Sequence, residues 1–308
     1  MTKLPKEIRN DMREAKRLEW WTLAGITSVA IVMYFAMGGS QAMKTAFLED
    51  LLSLIPAMTF LIAAQLEPKG PTERFPFGFV RVNSLAFLAS AVVLTTMGFW
   101  LLYDGMTALL KQEHPSIGPV TISGHTFWMG WLMMAALAYS IVIPTILGRL
   151  KKPVAEKLRD KVLHTDAQMQ KADWQTGVAG ILGLSGIGIG FWWADSAAAA
   201  LISLSIIFDG VKNIRIASAE LLDGTPRKLT DSGLSPEAVR LQARLAGLWP
   251  QAQVRVRESG RYMIANVRGI AVPSNIPSLD ELMSSDPGWR LAELTFTPPN
   301  CAQQELEG

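Results

Sequence analysis

The sequence predicts a membrane all-α protein with six transmembrane helices, followed by a small cytoplasmic α+β domain of αββαβ type. Three observations predict it. Six apolar stretches are each long enough to cross a hydrocarbon core, which takes about 20 helical residues. Of the 308 residues, 49% are hydrophobic and only 18% charged, and the apolar ones lie mostly before Gly224. That is richer in apolar and poorer in charged residues than a soluble domain, whereas the remainder has an ordinary composition. In this remainder helical periodicity and strand alternation take turns.

The elements follow in order. Residues 1–19 form a cytoplasmic segment that is polar and basic and lacks the apolar core of a cleavable signal peptide. The spans are expected near Trp21–Met37, Ala42–Gln65, Val82–Leu110, Ile122–Leu147, Asp166–Trp192 and Asp195–Ile216, within a membrane domain of residues 20–216. Trp20, Trp21, Trp100, Trp192 and Trp193 fall near span ends, as interfacial aromatics do. Lysines and arginines crowd the N-terminal segment, the second connection (Lys69, Arg74, Arg81) and the fourth (Arg149, Lys151, Lys152, Lys157, Arg159, Lys161). The opposite connections hold little beyond Lys44 and Lys111. Positive residues stay inside, so both termini are expected in the cytoplasm of a multi-pass inner (plasma) membrane protein.

Prolines and glycine make Glu67–Arg74 a turn-rich loop, and Val154–Leu163 reads as a short surface helix leading into span five. Residues 217–228 are the linker and 229–308 the C-terminal domain. There, Ser235 caps a helix that has Pro236 at its first position and runs to Leu248. Gln253–Arg257 and Tyr262–Val272 alternate as strands around a turn at Glu258-Ser259-Gly260. Ser278–Ser285 is a short helix and Leu291–Thr297 a final strand.

Several function classes drop out. A net charge of +2 is too small to imply a nucleic-acid partner. The single cysteine, Cys301, forms no intrachain disulfide and no Cys-based zinc site. No nucleophile–base pair or cofactor motif appears, so neither an enzyme nor a resident cofactor is expected.

Acids inside the spans point to a cation. Glu49 and Asp50 stand together in span two, and Asp173 lies in span five. A charge at membrane depth costs at least about 2.5–3.5 kcal/mol and normally meets a partner, a cavity or an ion. Glu49 and Ser53 share a helix face at i, i+4; Asp50, three before Ser53, joins it at a different angle. Pro56 frees the carbonyl of Leu52, so span two offers carboxylate, hydroxyl and carbonyl oxygens. Met169 and Asp173 share a face of span five, and Met169 is either a soft thioether ligand or apolar filler. Lys171 projects about 200° away from both, either snorkelling to headgroups or neutralising the span-two acids in place of an ion. His164 and Asp166 stand at the cytoplasmic mouth, as relays or, for Asp166, as a cap. His114 and His125 read as interfacial.

Four stretches resemble the cation diffusion facilitator family of divalent-metal/proton antiporters: Phe75-Pro76-Phe77-Gly78-Phe79-Val80-Arg81, His164-Thr165-Asp166-Ala167, Trp193-Ala194-Asp195 and Glu220-Leu221-Leu222-Asp223-Gly224-Thr225-Pro226. The last is the most specific. The resemblance implies a homodimer that exports a divalent cation from the cytoplasm against protons, the ion binding between spans two and five. Carried over by position, its ligands are Glu49 and Ser53, with Asp50 beside them, and Met169 and Asp173. Only Asp173 has the family's residue type; Ser53 replaces an acid, Met169 a His or Asp, and Asn83 an acid that commonly follows the signature arginine. With no histidine at the site, zinc, manganese, iron and cobalt all stay open. The alternative is a degenerate member acting as a membrane sensor or scaffold without metal transport.

Overall fold

The computed structural model describes residues 5–36, 47, 49–112, 119–122, 125–189, 191, 193–229, 233–283 and 286–299. Lys44, His114, Trp192 and Cys301, with parts of the first two expected spans, lie outside them.

Long helices make up the first part of the chain: α1 (Lys6–Ala36), α2 (Glu49–Leu66), α3 (Val82–Leu110), α4 (Met129–Leu158), α5 (Lys161–Ile189) and α6 (Ala194–Leu221). Among the described residues, α1 to α4 are long and apolar enough to cross a membrane. In α5 the run Lys171–Gln175 and several glycines dilute the apolar content. Large apolar side chains such as Val92, Phe99, Ile146, Leu182 and Phe208 point outward, as they do toward lipid. Inside, small residues let the backbones approach, since lipid supplies no hydrophobic drive between helices. A Cβ on Gly210 of α6 would lie 2.8 Å from Thr95 Cα of α3, and one on Gly105 would lie 3.0 Å from the Ser196 carbonyl.

Two boundaries differ from expectation. Span four was expected from Ile122, but Pro119–Ile122 (β1) and His125–Trp128 (β2) pair as an antiparallel ladder, so α4 begins at Met129. Threonine, β-branched and aromatic residues favour that pairing over helix. Nor is Val154–Leu163 a separate surface helix. Instead α4 continues through Pro144 and Pro153 to Leu158, and Arg159, at φ 51°, reverses the chain directly into α5.

The C-terminal part contains α7 (Pro236–Leu248), β3 (Gln253–Ser259), β4 (Tyr262–Arg268), α8 (Leu279–Met283) and β5 (Leu291–Thr297). The sheet order is β3-β4-β5, with β3 antiparallel and β5 parallel to β4. Ala238, Leu241 and Leu245 of α7 close on Val254, Val256, Met263, Ala265 and Val267. The spacings of three, four and two residues are those of one helix face and one sheet face.

The hairpin turn is tighter than expected. Ser259 pairs with Tyr262, which leaves only Gly260 and Arg261 in the loop. Gly260 has φ +62°, and a Cβ there would stand 2.9 Å from the Val80 carbonyl and 3.2 Å from Asn83 Cβ. Gly260→Ala is therefore expected to destabilise the chain by about 1–3 kcal/mol, since both the left-handed backbone and the close approach forbid a side chain. Thermal unfolding beside wild type checks this; an unchanged midpoint would contradict it.

Candidate functional site

Helices α2 and α5 bring three of the five predicted site residues together. Ser53 Oγ lies 2.8 Å from Asp173 Oδ1, to which it donates, and also 3.1 Å from the Glu49 carbonyl. Ser53 keeps helical backbone angles (φ −66°, ψ −11°) three residues before Pro56, and its hydroxyl reaches across to α5. Asp50 is buried and close enough to Asp173 for the two charges to interact. Asp50 Oδ2 and Asp173 Oδ2 are both buried with no protein hydrogen-bond partner. Buried carboxylate oxygens of like charge need a proton, water or cation between them.

The other two residues are placed differently. Glu49 is buried on α2. Met169 is fully buried among Leu94, Met97, Leu101, Ala172 and Ile206, an apolar cluster that Leu52 of α2 also touches. Among the described residues, no three His, Cys, Asp or Glu side chains converge as a metal cage. The centre is thus a pair of buried carboxylates with one hydroxyl donating to Asp173, and Met169 lies in the apolar cluster one helical turn before Asp173.

Lys171 is exposed on the α4–α5–α6 side, facing a groove that Asp209 and His164 also line. Asp166 is no cap. It is ion-paired with Lys151, whose Nζ also lies 2.9 Å from Glu19 Oε2, and all three side chains are fully buried. The cap of α5 is Asp160, whose Oδ1 accepts from the Leu163 amide at 2.9 Å. The Glu19–Lys151–Asp166 triad escapes sequence reading because Lys151 looks like one more loop cation. Its signal was a lone Glu19 at the edge of an apolar stretch.

A larger charge network joins the bundle to the C-terminal sheet, and sequence reasoning missed it too. Arg261, at the hairpin tip, is fully buried, with Nη2 2.9 Å from Glu67 Oε2 and 2.8 Å from Asp160 Oδ2. Asn83 Nδ2 donates to the same Asp160 oxygen at 3.0 Å. An acid at position 83 would instead repel Asp160, which accounts for the departure from the usual residue there. Lys161 Nζ bridges Glu220 at 2.7 Å and Glu258 at 2.6 Å. Glu220 also accepts from Ser84 Oγ at 2.5 Å and from the Gly260 amide at 3.1 Å. Arg81 and Arg257 both pair with Asp223, the latter at 2.5 Å, and Asp223 adopts φ 59°. The Glu220–Pro226 stretch is therefore a joint as well as a link. Burial pushes the Glu67 carboxyl above its usual range, opposed mainly by Arg261, and burial raises Glu258 likewise, opposed mainly by Lys161.

Residues 20–222 match the family described as the cation efflux transmembrane domain. The chain is 25% identical over 243 residues to a probable cation efflux system protein of Mycobacterium tuberculosis, covering 79% of this chain and 68% of that one. It is 24% identical over 189 residues to the manganese efflux system protein MneS of Bacillus subtilis, covering 60% of each. It is 26% identical over 202 residues to a cadmium, cobalt and zinc/H(+)-K(+) antiporter of Bacillus velezensis, covering 62% of this chain and 58% of the relative. The match thus spans less than two thirds of the length of these last two.

Proposed function

This chain belongs to the cation efflux, or cation diffusion facilitator, family of membrane transporters, and from that premise we propose that it exports a divalent metal cation from the cytoplasm in exchange for protons. The observation that carries this reading is the pair of buried, unpartnered oxygens of Asp50 and Asp173, with Ser53 donating to the other oxygen of Asp173. A dication between them neutralises both charges; two protons do the same, so metal and proton compete for one set of lone pairs. Exchange follows from that competition when the site opens alternately to either side.

In this reading α1 to α6 all span the inner membrane, both termini are cytoplasmic, and two copies associate through the C-terminal domain (residues 229–308). Asp173, Asp50 and Ser53 provide the first ligands, with Glu49 and Met169 completing the set as the helices rock. Oxygen donors without histidine favour a harder ion, manganese foremost, with iron and cobalt next and zinc last. Similarity to a protein named for manganese efflux supports that order. The scaffold alternative, with Lys171 replacing the ion, is disfavoured because Lys171 faces the outer groove.

The test is flux in proteoliposomes with manganese, iron, cobalt and zinc outside and a pH dye inside. Metal uptake coupled to proton release is expected, strongest for manganese. Absence of flux for every ion would overturn the proposal. Met169→His adds an imidazole beside Asp173 and is expected to raise zinc flux relative to manganese about tenfold or more. Unchanged selectivity would leave Met169 a packing residue.

A further inference from the structure

Away from the candidate centre, helices α4, α5 and α6 enclose a groove of about 360 Å³. Its charged lining is Arg149, Lys152 and Lys171 against one acid, Asp209. Three neutral polar side chains, Thr145, His164 and Gln168, belong to the same lining, and Gln168 already accepts from Asn213. His164 is only 7% exposed and its Nδ1 has no protein partner; Thr145 Oγ1 is buried and likewise unpartnered. Buried polar atoms without partners mark a place for a ligand or ordered water.

The sign of the charge decides between ligands. Three cations and one acid repel a divalent metal, so this groove is no approach to Asp173. They attract an anion, and hydroxyl and imidazole N–H groups can add hydrogen bonds to phosphate oxygens beside the charged side chains. The same groove carries apolar and amphipathic surface from Pro144, Ala167 and Trp174, which suits a molecule with an acyl end. Basic pockets between membrane helices at headgroup depth are the physical form of an anionic-lipid site.

We propose that the α4–α5–α6 groove binds the phosphate group of an anionic phospholipid through Arg149, Lys152 and Lys171, with His164 and Thr145 as inner donors. This gives Lys171 a role that metal binding does not, and it holds whether or not the transport reading does. Lipid bound there ties α4, α5 and α6 together.

The test uses the full chain in nanodiscs of phosphatidylcholine, of phosphatidylcholine with phosphatidylglycerol, and of phosphatidylcholine with added inorganic phosphate. Native mass spectrometry reads lipid adducts after extraction, and thermal unfolding reads stabilisation. Phosphatidylglycerol is expected to remain bound to wild type and to raise its midpoint. Arg149→Gln/Lys152→Gln/Lys171→Gln is expected to retain it about tenfold less or weaker, while Lys69→Gln, outside the groove, changes nothing. If the triple variant does not fold, single Lys152→Gln and Lys171→Gln proteins are compared by adduct abundance. Equal retention by wild type and the groove variants overturns the proposal. So does a stabilisation reproduced fully by inorganic phosphate without lipid, which would make the site one for the free anion. Loss of metal flux with lipid retention intact would strike the transport reading alone.

Discussion

Asp173→Asn is expected to bring metal flux down to that of empty liposomes while leaving the protein folded. The amide keeps the volume of the carboxyl and still accepts the hydrogen bond from Ser53 Oγ, which spans 2.8 Å in wild type. What it removes is charge. Asp50 then faces a neutral group, and a dication that had met two carboxylates meets one, in a medium where each interaction counts for more than in water. Proton release should vanish with metal uptake, because both use the same oxygens. Thermal unfolding provides the control: relief of the repulsion between Asp50 and Asp173 should leave the variant at least as stable as wild type. Wild-type flux for any ion in this variant would remove Asp173 from the centre. A collapsed midpoint would instead mean that the carboxylate is structural.

Arg261→Met is expected to be the most destabilising single change in the joint, by about 3–5 kcal/mol, the typical result of removing one partner from a buried ion pair. The methionine fills the space beside Met12, from which Arg261 Nη1 lies 4.0 Å, but leaves Glu67 and Asp160 buried without their cation. The sheet should separate from the bundle before either unfolds. Limited trypsin digestion reads this directly as faster cleavage at Arg227 and Lys228, in the link between them. Adding Glu67→Gln to Arg261→Met should restore part of the loss, since one orphaned charge disappears; a double variant no better than the single would deny the coupling. Native-like cleavage of Arg261→Met itself would show that the hairpin contributes little to the joint.

Much of the architecture could be read from the chain because apolar length and periodicity are local signals. The helices, the Ser235–Pro236 start of α7 and the final strand all announce themselves in single windows of sequence. Boundaries failed where a long-range or geometric event decided them. A two-strand ladder displaced the start of α4, and a single positive-φ residue, Arg159, fused an expected surface helix into its predecessor. The candidate centre was partly legible. Asp50, Ser53 and Asp173 declare themselves as polar groups at membrane depth, and the structure does bring them together. Helical phase alone favoured Glu49 over Asp50, and both side chains are buried on α2. The joint was illegible, because Glu67, Asp160 and Arg261 each look like ordinary loop charges. Only the fold places them, from widely separated positions, around one buried point.

That buried point sets an order on how the protein can be made. Translation delivers Glu67 and Asp160 long before Arg261. Until the ribosome reaches the hairpin, this end of the bundle holds acids whose cation does not yet exist, and those acids must remain hydrated. The helices therefore cannot close fully on that side during insertion. Only arrival of the last domain dries the junction and locks it. Chains cut short before Gly260 should remain open there.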